Sequence, residues 1–255
     1  MTQTVDLNAD MGESFGAWTL GNDSALLDIV TSANIACGFH AGDPDVMAQT
    51  MKLAVEMGVG IGAHPGFPDL RGFGRYRMHL PLPQLANAVR YQLGAAQAMA
   101  KVAGGHVRHL KLHGALANMC SENYEMAEAC YRAALEVDSE IIIMVLAGTQ
   151  QQKAVEALGC AYAAEIFADR AYNDDATLVD RALPGAVIHD ADLAAMRMVE
   201  MVQAGAMIAE SGKRIPTRID TICMHGDTPE AVEIARAVKA ALEAAGIAAK
   251  AFPHE

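Results

Sequence analysis

Seven short runs of β-type residues, each followed by a longer stretch of helical period, fill this chain from end to end. The runs are Thr4–Asn8, Asn34–Phe39, Val59–Ala63, His109–His113, Glu140–Leu146, Ala161–Phe167 and Ile219–His225. Between them apolar residues recur three or four apart, as in Met47, Met51, Ala54 and Val55, or Leu193, Met196, Val199 and Val202. Strict alternation of this kind predicts an α/β fold with a parallel sheet flanked by helices. Seven strands in βα order favour a (β/α) barrel over a doubly wound sheet. No Ser/Gly-rich linker or break in composition divides the chain, so one domain over residues 1–255 is expected.

The polar residues are not scattered over this pattern. They cluster where the predicted strands end: Asn8 and Asp10, His40 and Asp43, His64, Lys111 and His113, then Glu165, Asp169 and Arg170, and finally His225 and Asp227. Only the run ending at Leu146 leaves nothing titratable behind it. In a parallel barrel all these ends share one mouth, and at the switch point of an open sheet they would converge over a narrower width. A lone histidine at a strand end is usually a hydrogen-bonded packing residue. Four of the nine at such ends, each followed by a tight-turn residue, point instead to a site. The other five, His79, His106, His109, His189 and His254, read as ordinary surface or packing residues.

Two helix starts are explicit, Asp43-Pro44 and Thr228-Pro229, and their free N–H groups suit an anion or a developing negative charge. The polar stretch Asp169–Arg181 is the one long excursion between elements and reads as a lid or binding loop, or as a solvated surface loop.

Several function classes fall away on composition. A net charge of −12 repels phosphate backbones and anionic lipid, which argues against nucleic acid and membrane partners. Apolar runs are interrupted before about 18 residues, too short to span a bilayer. The N-terminus lacks a basic segment followed by an apolar one, and the five widely spaced cysteines form no disulfide framework or CxxC knuckle. A reduced, cytoplasmic protein is expected.

Short motif matches fail on context. In "GESFG" Ser14 lies too far past its strand to be a strained nucleophile elbow. In "GVGIGA" the glycines precede or occupy the strand instead of following it, against a dinucleotide fingerprint. Neither G-x-x-x-x-G-K-[ST] nor H-E-x-x-H occurs. A metal would have to be assembled across strands from Asp10, His40, His64 or His225.

Taken together, "DLNADMGESFG", "NIACGFHAGDP", "GAHPGFPDLRGFGR", "LKLHGAL", "EIFADRAY" and "CMHGDTPEA" resemble the LamB/YcsF family, in the family's order from Asp6 to about Ala231. Members of that family serve within the bacterial ATP-dependent 5-oxoprolinase as one of its subunits. The resemblance implies a barrel-like fold of the glycoside hydrolase and deacetylase type. It also implies cleavage of 5-oxo-L-proline to L-glutamate driven by ATP with Mg²⁺, and two partner subunits, B and C. It leaves a bound divalent metal and homo-oligomerisation open. Carried over by motif position, the expected catalytic residues are Asp10, His40, His64, Lys111 and His113. The expected substrate-binding residues are Glu13, Asp43, Asp169, Arg170, His225 and Asp227, and the metal candidates are Asp10, His40 and His64.

The sequence departs from the family pattern at Leu112 (usually proline), Ala117 (tyrosine), Tyr76 (arginine), Ala176 (glycine) and Asp180 (proline). Two other readings fit the same clusters: a stand-alone metal-dependent deacetylase or amidase, and a non-catalytic subunit that binds a small acid.

Overall fold

The computed structural model describes residues 3–225 and 230–252. Its elements in chain order are β1 (Gln3–Met11), α1 (Asp23–Leu27), β2 (Ser32–Ala36), α2 (Pro44–Glu56), β3 (Gly60–His64), α3 (Leu82–Val102), β4 (Val107–Lys111), α4 (Gly114–Glu122) and α5 (Tyr124–Val137). They continue with β5 (Ile142–Leu146), α6 (Gln150–Leu158), β6 (Tyr162–Phe167), α7 (Ala191–Ala204), β7 (Ala206–Ile208), β8 (Arg214–Pro216), β9 (Thr221–Met224), α8 (Ala231–Ala244) and β10 (Ile247–Ala249).

Strands β1 to β6 and β9 pair in parallel, and β9 pairs back onto β1, which closes a seven-stranded barrel. The seven expected strands are the seven barrel strands. β10 adds a short parallel pairing to the start of β1, and β7 and β8 form a small antiparallel ribbon outside the barrel.

Period-two alternation separates two environments along each strand. On β1, Leu7, Ala9 and Met11 join the apolar layer under the helices, together with Ile35, Ile61, Leu110, Ile143, Ile166 and Ile222. The intervening Asp6, Asn8 and Asp10 are buried in the lumen. There Asp6 accepts hydrogen bonds from Thr31, Ser32 and Thr221, tying β1 to both of its neighbours at the seam. Phe252 reaches the same end of the lumen, where it packs with Ile142, Met144 and Ala163 and meets the His109 ring edge-on.

Three strands end earlier than expected, β9 by one residue, at Met224. β2 stops at Ala36 and β4 at Lys111, so His40 and His113 stand on the connections beyond the strands. Gly38, at φ 88°, breaks the extended run after β2, and His113 is the residue that precedes α4. The stripe Leu193 and Met196 on α7 faces outward, because Ala194, Ala195, Met198 and Met201 supply the buried face. A shallow groove of about 560 Å³ between α7 and α8 lies along that outer surface. Among the described residues, no helix is long and apolar enough to cross a membrane.

Candidate active site at the strand ends

The site begins inside the lumen. Lys111 reaches in from the end of β4 and places its Nζ 3.0 Å from Asp10 Oδ1, 2.9 Å from Glu165 Oε1, 2.9 Å from Cys223 Sγ and 3.3 Å from Asn8 Oδ1. Burial alone would lift the Asp10 carboxyl, but the facing His64 and Lys111 outweigh it and hold Asp10 well below the usual carboxylate range. Burial alone would likewise lower the Lys111 ammonium, yet Asp10, Cys223 and Glu165 keep it well above its ordinary value. Both groups are therefore charged at neutral pH, and each is the other's counter-ion.

Asp10 is oriented from a second side. Asn34 Nδ2 donates to Asp10 Oδ1 (2.9 Å) and Asn8 Oδ1 (2.7 Å), while its own Oδ1 lies 2.7 Å from His109 Nε2. Since an amide oxygen only accepts, Nε2 of His109 carries the proton. The His109 ring lies across Gly62, where any Cβ would overlap Nε2, so a glycine in the middle of β3 makes room for this chain of contacts. Burial, with Arg108 and Lys111 nearby, pushes the His109 pKa down to about 3.

Above this layer three histidines gather. His64 Nδ1 lies 2.8 Å from the Lys111 carbonyl, and its Nε2 is 3.0 Å from His113 Nδ1 and 3.3 Å from Asp10 Oδ2. His113 Nε2 faces the Phe73 carbonyl at 2.9 Å. The His40 ring stacks on His113 with centroids 3.6 Å apart, and its Nε2 is 3.6 Å from Glu13 Oε1. Burial drives the pKa of His40 well below the ordinary value and that of His113 to about 3, which leaves both rings neutral. The connection after β3 wraps over the group. Gly74, at φ 63°, passes so close to His113 and His40 that a side chain there would meet the His113 ring and the His40 Cβ. One donor atom from each of Glu13, His40, His64 and His113 falls within 4.8 Å of the others, a set able to hold a metal; Asp10, Cys223 and His225 form a second such group.

The third part of the site comes from β6 and β9. His225 Nδ1 lies 2.7 Å from Asp169 Oδ2 and its ring stacks on Phe167. Burial would raise the Asp169 carboxyl, but His225 and Arg170 together keep it below its ordinary value. Arg170 donates to the backbone carbonyls of Val179 (2.7 Å) and Ala186 (3.3 Å), so part of its guanidinium anchors the connection that follows. That connection, expected as a loop, is a braced hairpin: Asn173 donates its N–H to Thr177 O, Ala176 donates to Asn173 O, and Tyr172 bridges Leu178. Ala176 sits at φ 71°, the left-handed position of a three-residue hairpin. Glycine fits that position without strain, which accounts physically for the family's preference there.

These groups open into a cavity of about 480 Å³. Asp10, His64, Lys111, His113, Arg170 and His225 all line it, along with Arg75, Arg77, Arg181, Leu112 and Ala117. The cluster therefore presents carboxylate, imidazole and cationic groups to one enclosed volume. That combination suits addition of water to a polarised carbonyl with protonation of the leaving group.

Of the expected residues, Asp10, Glu13, His40, His64, Lys111, His113, Asp169, Arg170 and His225 are brought together. Asp43 instead accepts from the N–H groups of Asp45 and Val46 as the cap of α2, and from Gly16 N–H, which pins the loop after β1. Asp227 and the Thr228-Pro229 helix start lie outside the described residues, as does His254. Ser14, rejected as a nucleophile, exchanges hydrogen bonds with the Leu20 backbone.

One histidine is corrected: His109, read as an ordinary packing residue, is wholly buried and orients Asn34. Asn34 and Cys223 were missed as site residues. The signal for His109 and Asn34 was present in their even spacing from Lys111 and Ala36 along inward-facing strand positions. The cysteines are all free thiols, and Cys160 alone of the five is not fully buried.

The family model for LamB/YcsF matches residues 5–255. A Ruegeria pomeroyi protein, named as the A subunit of 5-oxoprolinase, is 69% identical over 97% of this chain and 98% of its own length. A Gluconobacter oxydans protein of the same name is 55% identical over 98% of each. The crystal structure of a lactam utilization protein from Thermus thermophilus superposes with a TM-score of 0.92 at 42% identity, covering 98% of this chain and all of that one. The chain belongs to the LamB/YcsF family.

Proposed function

We propose that this chain is the ring-opening subunit of an ATP-dependent 5-oxoprolinase, cleaving 5-oxo-L-proline to L-glutamate together with partner subunits B and C. The observation that carries the reading is the buried Asp10–Lys111 pair opening onto one cavity with His225, itself held by Asp169, in a chain 69% identical to a protein named for this activity.

A five-membered lactam is a resonance-stabilised amide with a poor leaving group, so its carbonyl oxygen is activated by phosphoryl transfer from ATP, with release of ADP. Water then adds to the activated ring carbon, the C–N bond breaks as the nitrogen takes a proton, and a second water hydrolyses the resulting glutamyl phosphate to glutamate and inorganic phosphate. Asp10, kept ionised by Lys111 and aimed by Asn34, accepts the hydrogen bond of the attacking water and its proton. His225, held by Asp169, delivers the proton to the ring nitrogen. Arg170 and the other cationic groups of the cavity draw in the substrate carboxylate and the phosphorylated oxygen. With no G-x-x-x-x-G-K-[ST] loop in this chain, the reading assigns ATP and Mg²⁺ to the partner subunits.

The test is glutamate release from 5-oxo-L-proline by this chain, alone and mixed with B and C, with and without ATP and Mg²⁺. Release only in the complete mixture is expected. Release by the isolated chain without ATP, or silence in every mixture of folded partners, would contradict the reading.

A further inference from the structure

Arg197, on α7, is a half-buried charge that does not line the cavity. Among the described residues no carboxylate forms an ion pair with it. Burying a guanidinium without a counter-ion is unfavourable unless its N–H groups are well used, and burial presses the pKa of this one below the ordinary arginine value. Both terminal nitrogens are spent on backbone: Nη1 donates to the Ala168 carbonyl (3.3 Å) and Nη2 to the Arg170 carbonyl (3.2 Å). The residue between those two carbonyls is Asp169.

β6 ends at Phe167, and Ala168 N–H donates to the Cys223 carbonyl of β9 (3.0 Å). Beyond it the Asp169 carbonyl accepts from Ile188 N–H (2.8 Å), and the carbonyls on either side accept from Arg197. Three successive carbonyls are thus fixed, two of them by one planar fork. Backbone held on both sides of Asp169 sets the direction of its Cα–Cβ bond, and the carboxylate meets His225 Nδ1 at 2.7 Å and 2.9 Å. We propose that Arg197 is a positioning residue: by gripping the Ala168 and Arg170 carbonyls it fixes Asp169, and through Asp169 it holds the His225 ring where the lactam nitrogen is protonated. The effect on turnover rests on the reading of His225 as proton donor, whereas the effect on the Asp169–His225 contact does not. Lysine is a poor substitute, because an ammonium on a flexible stem does not span two carbonyls as the guanidinium fork does.

The test compares wild type, Arg197→Met and Arg197→Lys in the enzyme assembled with its partner subunits. In R197M the kcat for glutamate release is expected to fall about 10- to 100-fold, the scale of a misplaced reacting group. KM for 5-oxo-L-proline should stay within about twofold of wild type, because Arg197 does not line the cavity. R197K keeps the charge, holds one carbonyl at a time and recovers part of the rate. A merely structural Arg197 would lower the melting temperature of R197M and leave kcat below that temperature unchanged. Crystal structures of the full wild-type and R197M chains give a readout independent of activity: the His225 Nδ1 to Asp169 contact is kept in the first and lost in the second. Turnover of R197M within about twofold of wild type, a raised KM at constant kcat, or an unmoved Asp169–His225 contact would overturn the proposal. Should R197M not fold, R197K decides, with a lowered kcat expected and a wild-type kcat contradicting the assignment. Silence of every mixture, wild type included, would sink the ring-opening reading, and the crystal contact would still decide the role of Arg197.

Discussion

Around the barrel lumen, β1 to β4 present Asp6, Asn8, Asp10, Ser32, Asn34, His64, His109 and Lys111, whereas β5 and the start of β6 present Ile142, Met144, Leu146 and Ala163. The two arcs share one backbone geometry and similar burial, but their interactions differ in kind. The polar arc is a chain of directional contacts in which each group fixes the next, and it uses Gly62 to admit the His109 ring. The apolar arc is held by packing, which depends on volume and hardly at all on direction. The polar arc should therefore fail on loss of one charge, and the apolar arc should absorb a conservative change.

The largest effect is expected for Lys111→Met. It leaves Asp10 and Glu165 buried without their cation, and chemical denaturation should show a loss of about 3–5 kcal/mol, accompanied by loss of turnover. A change below about 1 kcal/mol would show that the polar arc is not governed by this pair.

His109→Gln comes next, and its signature lies in pH. Folded His109 stays neutral down to about pH 3, while in the unfolded chain it takes up a proton near pH 6.5. The unfolded state thus binds more protons in that window, so wild-type stability falls as pH drops from 6.5 towards 3. The variant lacks this component, and the stability difference should move in its favour by up to about 1.4 kcal/mol per pH unit on acidification. Parallel pH profiles for the two proteins would contradict the buried, neutral assignment.

On the apolar arc, Ile142→Val should cost only about 0.5–1.5 kcal/mol and leave turnover in the assembled enzyme unaltered. A loss of turnover there would erase the contrast between the arcs. The smallest change is Ala176→Gly in the hairpin over the cavity. Relief of the left-handed conformation should offset the added chain entropy and raise stability by less than about 1 kcal/mol. A lowered melting temperature would mean that the Ala176 methyl matters more than its backbone angle.

The fold was legible because strand and helix periods differ, and each of the seven β-type runs became a barrel strand. Closure was only favoured, since the β1–β9 pairing joins segments more than 200 residues apart. Site residues at strand ends stood out as charges interrupting apolar runs, as with His64 after Ala63. Asn34 and His109 did not, because a buried amide and a buried neutral imidazole look like any polar residue until the facing strand is known. Asp43 illustrates the opposite ambiguity. A residue that caps a helix and one that binds a ligand carry the same sequence signal, Asp before Pro, and only the position of its carboxylate separates them. The hairpin after Arg170 was hidden by its polar composition, although Ala176 marks its turn once the backbone is seen.

Glutamate release by the assembled enzyme carrying Asp10→Asn is the most direct test of the claim that the polar arc performs the ring opening. The substitution keeps the side chain's shape and leaves Lys111 paired with Glu165, so the chain should fold and assemble with its partners. Turnover is expected to fall by at least about 100-fold, the loss that follows removal of a positioned proton acceptor. Turnover within about threefold of wild type would place the chemistry elsewhere and leave this arc a scaffold.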